Sequence, residues 1–181
     1  MVLKKTEEGK TRGPAAERAQ ADGGGLDRYD IAILRELPQD ARLSNTELAQ
    51  RIGLSAAPTW RRVRALEAQG VIMGYRAELD RRRIGLGVLA FVRVETERSG
   101  GAAMRELEAQ IRALPEVIAC HYISGAGTFE LQVMATDLDT YARFSVETLL
   151  NLPNVKDIDT SFSLGEVKSG AALPLTHLRP A

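Results

Sequence analysis

Only three residues, Gly53-Leu54-Ser55, separate two runs of helical apolar spacing. A glycine-containing turn this short between two short helices is the signature of a helix-turn-helix. Gly53 stands where the backbone must take a positive φ to leave the first helix. That helix starts at Ser44, and Glu47 three residues later completes a capping box in which two orphan amides are satisfied reciprocally. Leu48 and Ile52 give it a buried face. The second helix runs from Ser55 to about Gln69 and stops at Gly70. Pro58 falls in its first turn, where a missing N–H costs nothing. A third helix precedes both, from Asp27 to about Leu37. Asp27 caps it, Asp30 sits in its first turn, Ile31, Leu34 and Leu37 form its stripe, and Pro38 ends it.

On a helical wheel the Ser55–Gln69 helix places Ala56, Thr59, Val63 and Leu66 on one side. Arg61, Arg64 and Ala57 fall opposite, with Trp60 and Arg62 at the flanks. A face that is small at its N-terminal end and basic along its length suits the major groove, where arginine bonds phosphates or guanine edges. Three arginines in four positions also describe an ordinary solvated face. The two capped helices and the short turn favour DNA.

Charge supports two regions with different partners. Lys plus Arg and Asp plus Glu are both 24, so there is no bulk basic signal. Residues 26–85 nevertheless carry a net of +3 and residues 86–181 a net of −4. Residues 1–25 are rich in Lys, Glu, Gly and Ala and read as a disordered tail. Lys4, Lys5, Lys10 and Arg12 could touch DNA, but interleaved acids nearly cancel them, which favours a solvated extension. Residues 71–85 read as a short extended stretch and a linker, with Arg81-Arg82-Arg83 either on DNA backbone or in solvent. Cys120 is the only cysteine, in an apolar run, and reads as a small buried hydrophobe. With no disulfide, no membrane-length apolar stretch and no apolar signal core, the expected location is the cytoplasm.

The second half changes period. Val88, Ala90, Val92 and Val94 alternate as a strand; Met104, Leu107, Ile111 and Leu114 keep helical spacing up to Pro115. Val117–Ile123 is a second strand. A loop of Ser124-Gly125-Ala126-Gly127-Thr128 leads to a third, Phe129–Ala135. A helix follows from about Leu138 to Leu152, burying Tyr141, Phe144 and Thr148, and Ile158, Thr160, Phe162 and Leu164 alternate as the last strand. The order βαββαβ predicts an α+β ferredoxin-like domain with two helices on one sheet face. Its other face, carrying Leu89 and Phe91, predicts a homodimer packed sheet to sheet.

These residues resemble the Lrp/AsnC family, the leucine-responsive and asparagine-operon regulators. The likeness runs from about Leu26 to Leu175. It is carried by Leu26-Asp27-Arg28-Tyr29-Asp30-Ile31, Glu47-Leu48-Ala49, Gly53-Leu54-Ser55, Arg62-Val63, Leu66-Glu67, Gly70-Val71-Ile72 and Gly74-Tyr75. In the second half it is carried by Ser124-Gly125, Leu149-Leu150-Asn151-Leu152-Pro153 and Glu166-Val167-Lys168. The resemblance implies a winged helix-turn-helix at 26–75, a linker at 76–85, a RAM/AsnC-type effector and oligomerisation domain at 86–169, and a tail at 170–181. It implies a transcriptional regulator, not an enzyme, that binds double-stranded DNA and responds to a small effector, an amino acid or related metabolite. Dimers would assemble into tetramers or octamers. By position, the effector pocket where dimers meet would draw on Tyr122, Ser124, Gly125, Ala126, Gly127 and Thr128, with Leu138, Leu150, Ser161, Phe162 and Ser163.

Two departures stand out. Thr128 occupies a position that is often acidic in the family, which moves recognition of an ammonium group elsewhere, Glu130 being one choice. Thr59 and Trp60 replace a commoner Cys-Leu pair, retuning packing and DNA contact. The DNA-contact set is therefore Ser55, Ala57, Thr59, Trp60, Arg61, Arg62 and Arg64. The competing reading is an enzyme like the haem-pathway decarboxylases, whose fold is similar. It needs basic and imidazole groups around an anionic substrate, and the only histidines are His121, in an apolar strand, and His177, near the end. The Gly125–Gly127 loop lacks a third glycine and opens no helix, so it is a weak nucleotide motif. No cofactor or metal cluster is expected.

Overall fold

A computed structural model describes residues 25–97, 101–124, 128–168, 170 and 172–180. The tail expected at 1–25 lies, but for Gly25, outside the described residues, as do Gly125, Ala126 and Gly127. The chain forms two units. One holds the described residues up to Ala77 together with those from Ala172 onward, and the other is Glu78–Gly170.

In the first unit, α1 spans Arg28–Glu36, α2 Asn45–Ile52 and α3 Ala56–Ala68. Both expected caps form. Asp27 accepts from the amides of Tyr29 and Asp30, and Ser44 and Glu47 close their box. Gly53 takes φ +71° at the α2 C-cap, so the turn leaves α2 without strain on a Cβ. Ile33, Leu37, Leu48, Val63 and Leu66 form the core. Ile33 is fully buried although it lies off the expected stripe, because α1 is covered by both α2 and α3 and needs a wider apolar arc. Ala56 is exposed rather than buried, since the first residue of α3 overhangs the end of this core. After Gly70 the Val71 and Ile72 amides return to the Leu66 carbonyl, and no strand is assigned among residues 73–87. Ala172, Leu173, Leu175 and Thr176 share a shallow groove with Leu34 and Arg35 of α1 and with Gln39 in the turn after it.

The second unit runs β1 Val88–Thr96, α4 Gly101–Ala113, β2 Val117–Tyr122, β3 Phe129–Ala135, α5 Leu138–Glu147 and β4 Val155–Phe162. Its sheet order is β2-β3-β1-β4, with every neighbouring pair antiparallel, which is the βαββαβ arrangement read from the sequence. Ala90, Val92, Val94, Phe129, Leu131 and Val133 pack against Leu107 and Ile111 of α4 and Tyr141 of α5. Burying a side chain of the Leu or Phe class contributes about 1.5–3 kcal/mol. At the mouth of β1, Gly87 donates to the Thr136 carbonyl, and a Cβ there would lie 2.8 Å from that oxygen.

Three boundaries differ from the sequence reading. The last helix ends at Glu147, not near Leu152. The backbone swings out at Thr148 (φ −116°), and Leu149–Asn151 continues as a 3-10 helix. The Asn151 side-chain amide donates to the Val146 and Glu147 carbonyls, satisfying the helix end that the pattern ran through. Strand β2 stops at Tyr122, with the Ile123 amide closing onto the Thr128 carbonyl. Strand β4 begins at Val155 and ends at Phe162, leaving Leu164 fully exposed. Cys120 is exposed instead of buried because β2 is an edge strand. Its thiol is pushed up by partial burial and then by Glu108, which keeps it protonated and unreactive at neutral pH.

The face of the sheet opposite α4 and α5 carries Leu89 and Phe91 of β1 and Met134 of β3, all half-buried. In the next row, His121, Glu130, Arg93 and Asp159 follow one another across the four strands. Arg93 stands 3.8 Å from Glu130.

Candidate DNA-binding face and effector site

The three arginines of α3 sit in three different situations. Arg61 is exposed and makes no ion pair among the described residues. Arg64 is exposed, 3.1 Å from Glu67, and lies 5.9 Å over the Trp60 ring. Glu67 also accepts from the Tyr75 hydroxyl, so the start of the following segment is tied to the same corner. Burial, and then Glu67, push the Tyr75 hydroxyl up from its ordinary range. Arg62 turns inward instead, 2.7 Å from Asp27 and 2.9 Å from Asp30, with its guanidinium 5.4 Å from the centre of the Tyr29 ring.

Ser55, Ala57 and Trp60 are exposed beside Arg61 and Arg64. Ser55 stands at the N-cap of α3 without using its side chain to cap it. The Ala56 and Ala57 amides, with Pro58 having no N–H, are therefore left without a side-chain cap at the positive end of the helix dipole, an arrangement that suits phosphate. Thr59 is corrected. It is fully buried and its hydroxyl donates to the Ser55 carbonyl, so it packs the helix and offers nothing to a groove.

The effector candidates divide. Tyr122 at the end of β2 stacks edge-on with Phe129, ring centres 4.6 Å apart, and is largely exposed. Thr128 immediately precedes β3 beside it. Its amide donates to the Val94 carbonyl, and its hydroxyl is engaged with that of Thr96 at 2.8 Å. The second group is Leu138, Leu150, Ser161, Phe162 and Ser163. Phe162 stacks edge-on with Tyr141 at 5.1 Å, and the Ser163 amide donates to the Leu89 carbonyl. Leu138 follows Ala135, which pairs with Val88, at that same end of the sheet. Tyr122 and Ser161 lie on opposite edge strands and three residues apart in register, a separation of roughly 17 Å from strand spacing and rise. One chain therefore does not bring the two groups together. Glu130 projects to the open sheet face with Arg93, away from the helix layer.

Comparison with known proteins decides the family. Residues 89–173 match the Lrp/AsnC ligand binding domain, and residues 26–73 match a winged helix-turn-helix DNA-binding domain. The chain is 41% identical over 150 residues to the Bkd operon transcriptional regulator of Pseudomonas aeruginosa, spanning 83% of this chain and 98% of that one. It is 39% identical over 151 residues to the leucine-responsive regulatory protein of Salmonella typhimurium, covering 83% and 92%. This chain belongs to the Lrp/AsnC family of transcriptional regulators. A solved Lrp/AsnC-like structure, a transcriptional regulator from Neisseria meningitidis in complex with L-Met, superposes with a TM-score of 0.81 at 38% identity, over 84% of this chain and 98% of that one. An AsnC family regulator from Agrobacterium tumefaciens gives 0.78 at 30% identity, over 83% and 97%. As an Lrp/AsnC protein the chain couples a DNA-binding helix-turn-helix to a ligand-binding domain. No described helix is long and apolar enough to cross a membrane.

Two features of this Lrp/AsnC chain escaped sequence reasoning. The pairing of Arg62 with Asp27 and Asp30 joins residues 32 and 35 apart, and no local pattern announces it. The engagement of Thr128 with Thr96 is visible only once β1 and β3 are in register.

Proposed function

We propose that the chain is a cytoplasmic, sequence-specific regulator that reads DNA with the exposed face of α3 and answers an amino acid or related metabolite. The observation carrying the DNA reading is the clustering of Ser55, Ala57, Trp60, Arg61 and Arg64 around the uncapped first turn of α3. Arg61 and Arg64 reach base edges or phosphates while the first-turn amides take a phosphate. The division of the effector candidates supports a pocket completed between chains, with Tyr122, Ser124 and Thr128 from one and Leu138, Leu150, Ser161, Phe162 and Ser163 from another. Gly125, Ala126 and Gly127 complete the first group by their place in the sequence. The N. meningitidis regulator bound L-Met, which supports an amino acid as the ligand class here. The half-buried Leu89, Phe91 and Met134 on the uncovered sheet face support a homodimer, as does the stretch from Val71 through Met73 and Tyr75 to Leu79, whose apolar side chains alternate and stay exposed.

The test pairs two measurements on the purified chain. Selection from random DNA should return a pseudo-palindromic site, and a thermal-shift screen across the amino acids should raise the melting temperature for one or a few of them, since a ligand of the folded state stabilises by mass action. Random recovered sequences together with a flat screen would refute this reading.

A further inference from the structure

The pairing of Arg62 is made twice, and it spans two elements. Its guanidinium meets Asp27 at 2.7 Å and Asp30 at 2.9 Å, and all three side chains are at least partly shielded. Asp27 also caps α1 through the amides of Tyr29 and Asp30, and the Asp30 carboxylate accepts from the Asp27 amide in return. The carboxylates are thus fixed by backbone before Arg62 arrives. Among the described residues this is the ion-pair set that joins α1 to α3.

The surrounding packing explains why such a link matters. Helix α3 packs against both α2 and α1 through Val63 and Leu66. Between α1 and α3 lies an open groove of about 340 Å³, lined by Leu26, Asp30, Pro58, Arg61, Arg62 and Gln69 among others. Val63 and Leu66 anchor α3 in the shared core with Ile33, Leu37 and Leu48, and at the open groove the tie of Arg62 to Asp27 and Asp30 is what holds that side of α3 to α1, so losing it frees the helix to shift there. A roll displaces Arg61 and Arg64, one residue before and two residues after the clamp, by the full lever of their side chains. Bidentate base contacts do not tolerate such displacement.

We infer that Arg62 is a positioning residue: held by Asp27 and Asp30, it sets the roll of α3 and thereby the sequence specificity of DNA binding, without itself touching DNA. This rests on the proposal that α3 is the reading helix. The two chemistries open to Arg62 have opposite consequences for its partners. If Arg62 contacted phosphate, neutralising the carboxylates would release it and strengthen binding. If Arg62 positions α3, neutralising them costs specificity just as losing Arg62 does.

The experiment uses the full chain and a site recovered by selection from random DNA. It measures the ratio of affinity for that site to affinity for unrelated DNA across a salt series, with circular dichroism confirming that each variant is folded at the working temperature. Asp27→Asn is the informative substitution, because asparagine caps a helix as well as aspartate does and only the charge is lost. The expected result is that D27N/D30N and R62Q each lower the ratio about three- to tenfold, that combining all three loses little more, and that the salt slope stays at the parent value. R62K, which keeps the charge and loses the fork, should fall between, and together with D27N/D30N it carries the comparison if R62Q does not fold. A salt slope smaller by about 0.9 in R62Q, with tighter binding by D27N/D30N, would overturn the inference and make Arg62 a phosphate contact. An unchanged ratio in every variant would overturn it equally. Arg61→Ala run alongside isolates the underlying reading, for if that variant binds like the parent, α3 is not the reading helix at all.

Discussion

Arg61 carries the clearest residue-level expectation, because nothing in the described structure competes for it. Arg61→Ala should weaken binding to the selected site by about 1–3 kcal/mol if the side chain reads a base. If it meets only phosphate, affinity should drop about equally on all sequences and the salt slope should shrink. Arg64→Ala should act in the same direction with a smaller change, since Glu67 and Trp60 already hold that side chain and part of its charge is compensated. Fluorescence anisotropy at two salt concentrations separates these outcomes, and parent-like binding by both variants would remove α3 from the interface. The sequence placed Arg61 and Arg64 on the exposed face from periodicity alone, and the structure agrees. Periodicity also put Thr59 on the side of Val63 and Leu66, at odds with its place in the DNA-contact set, but it could not show that Arg62 is spoken for, since that depends on partners supplied by α1.

At the scale of elements, the starts and ends of α1, α2 and α3 were legible from their caps and stop residues, whereas the end of α5 was not. Caps are chemical events between neighbours, so Asp27 and Ser44 announced themselves with Asp30 and Glu47 three positions on. The end of α5 depends on Asn151 reaching back to two carbonyls, which apolar spacing does not encode. The capping carboxylates also predict an acid sensitivity. Asp27 is held below the ordinary carboxylate range, the amides of Asp30 and Tyr29 and the Arg62 guanidinium outweighing the opposing effect of burial. Glu47 is lowered by the Ser44 hydroxyl and amide, and Asp137, at the start of α5, by Thr140. Depressed folded-state values mean that this stabilisation is complete above the unfolded carboxylate value, about pH 4, and disappears as pH falls through the lower folded values. Melting temperature should therefore hold between about pH 7 and 5 and fall below about pH 4. A melting temperature that stayed level to strongly acid pH would contradict it. The α2–α3 turn makes a second element-scale prediction. A Cβ at Gly53 meets no atom within 4 Å, so Gly53→Ala suffers only from its φ of +71° and should cost about 1 kcal/mol in urea denaturation. A variant as stable as the parent would mean the turn relaxes freely.

For the whole molecule, the order of the elements followed from periods of two and of 3.6 and from the position of proline and glycine, and the antiparallel sheet from the ferredoxin-like arrangement that this order implies. What completes the second unit did not, because a partner leaves no trace in local spacing beyond apolar residues on both faces of β1. Light scattering should find no stable folded monomer at micromolar concentration, and Leu89→Glu with Phe91→Glu should release one. Nuclease footprints on the selected site should show half-sites separated by about 34 Å or a multiple of it, the spacing a two-fold pair of reading helices imposes. A monomeric parent protein with a single protected half-site would exclude this assembly.

The distance between Tyr122 and Ser161 has one more implication. A metabolite gripped by both groups at once is bound by two protein molecules, and where these come from dimers that associate reversibly its binding equilibrium contains the protein concentration as well as its own. The metabolite level needed to occupy half the sites then falls as the cell makes more regulator. Such a sensor has no fixed set point: its threshold is a function of its own abundance, and any control over its expression retunes what counts as a high concentration of ligand.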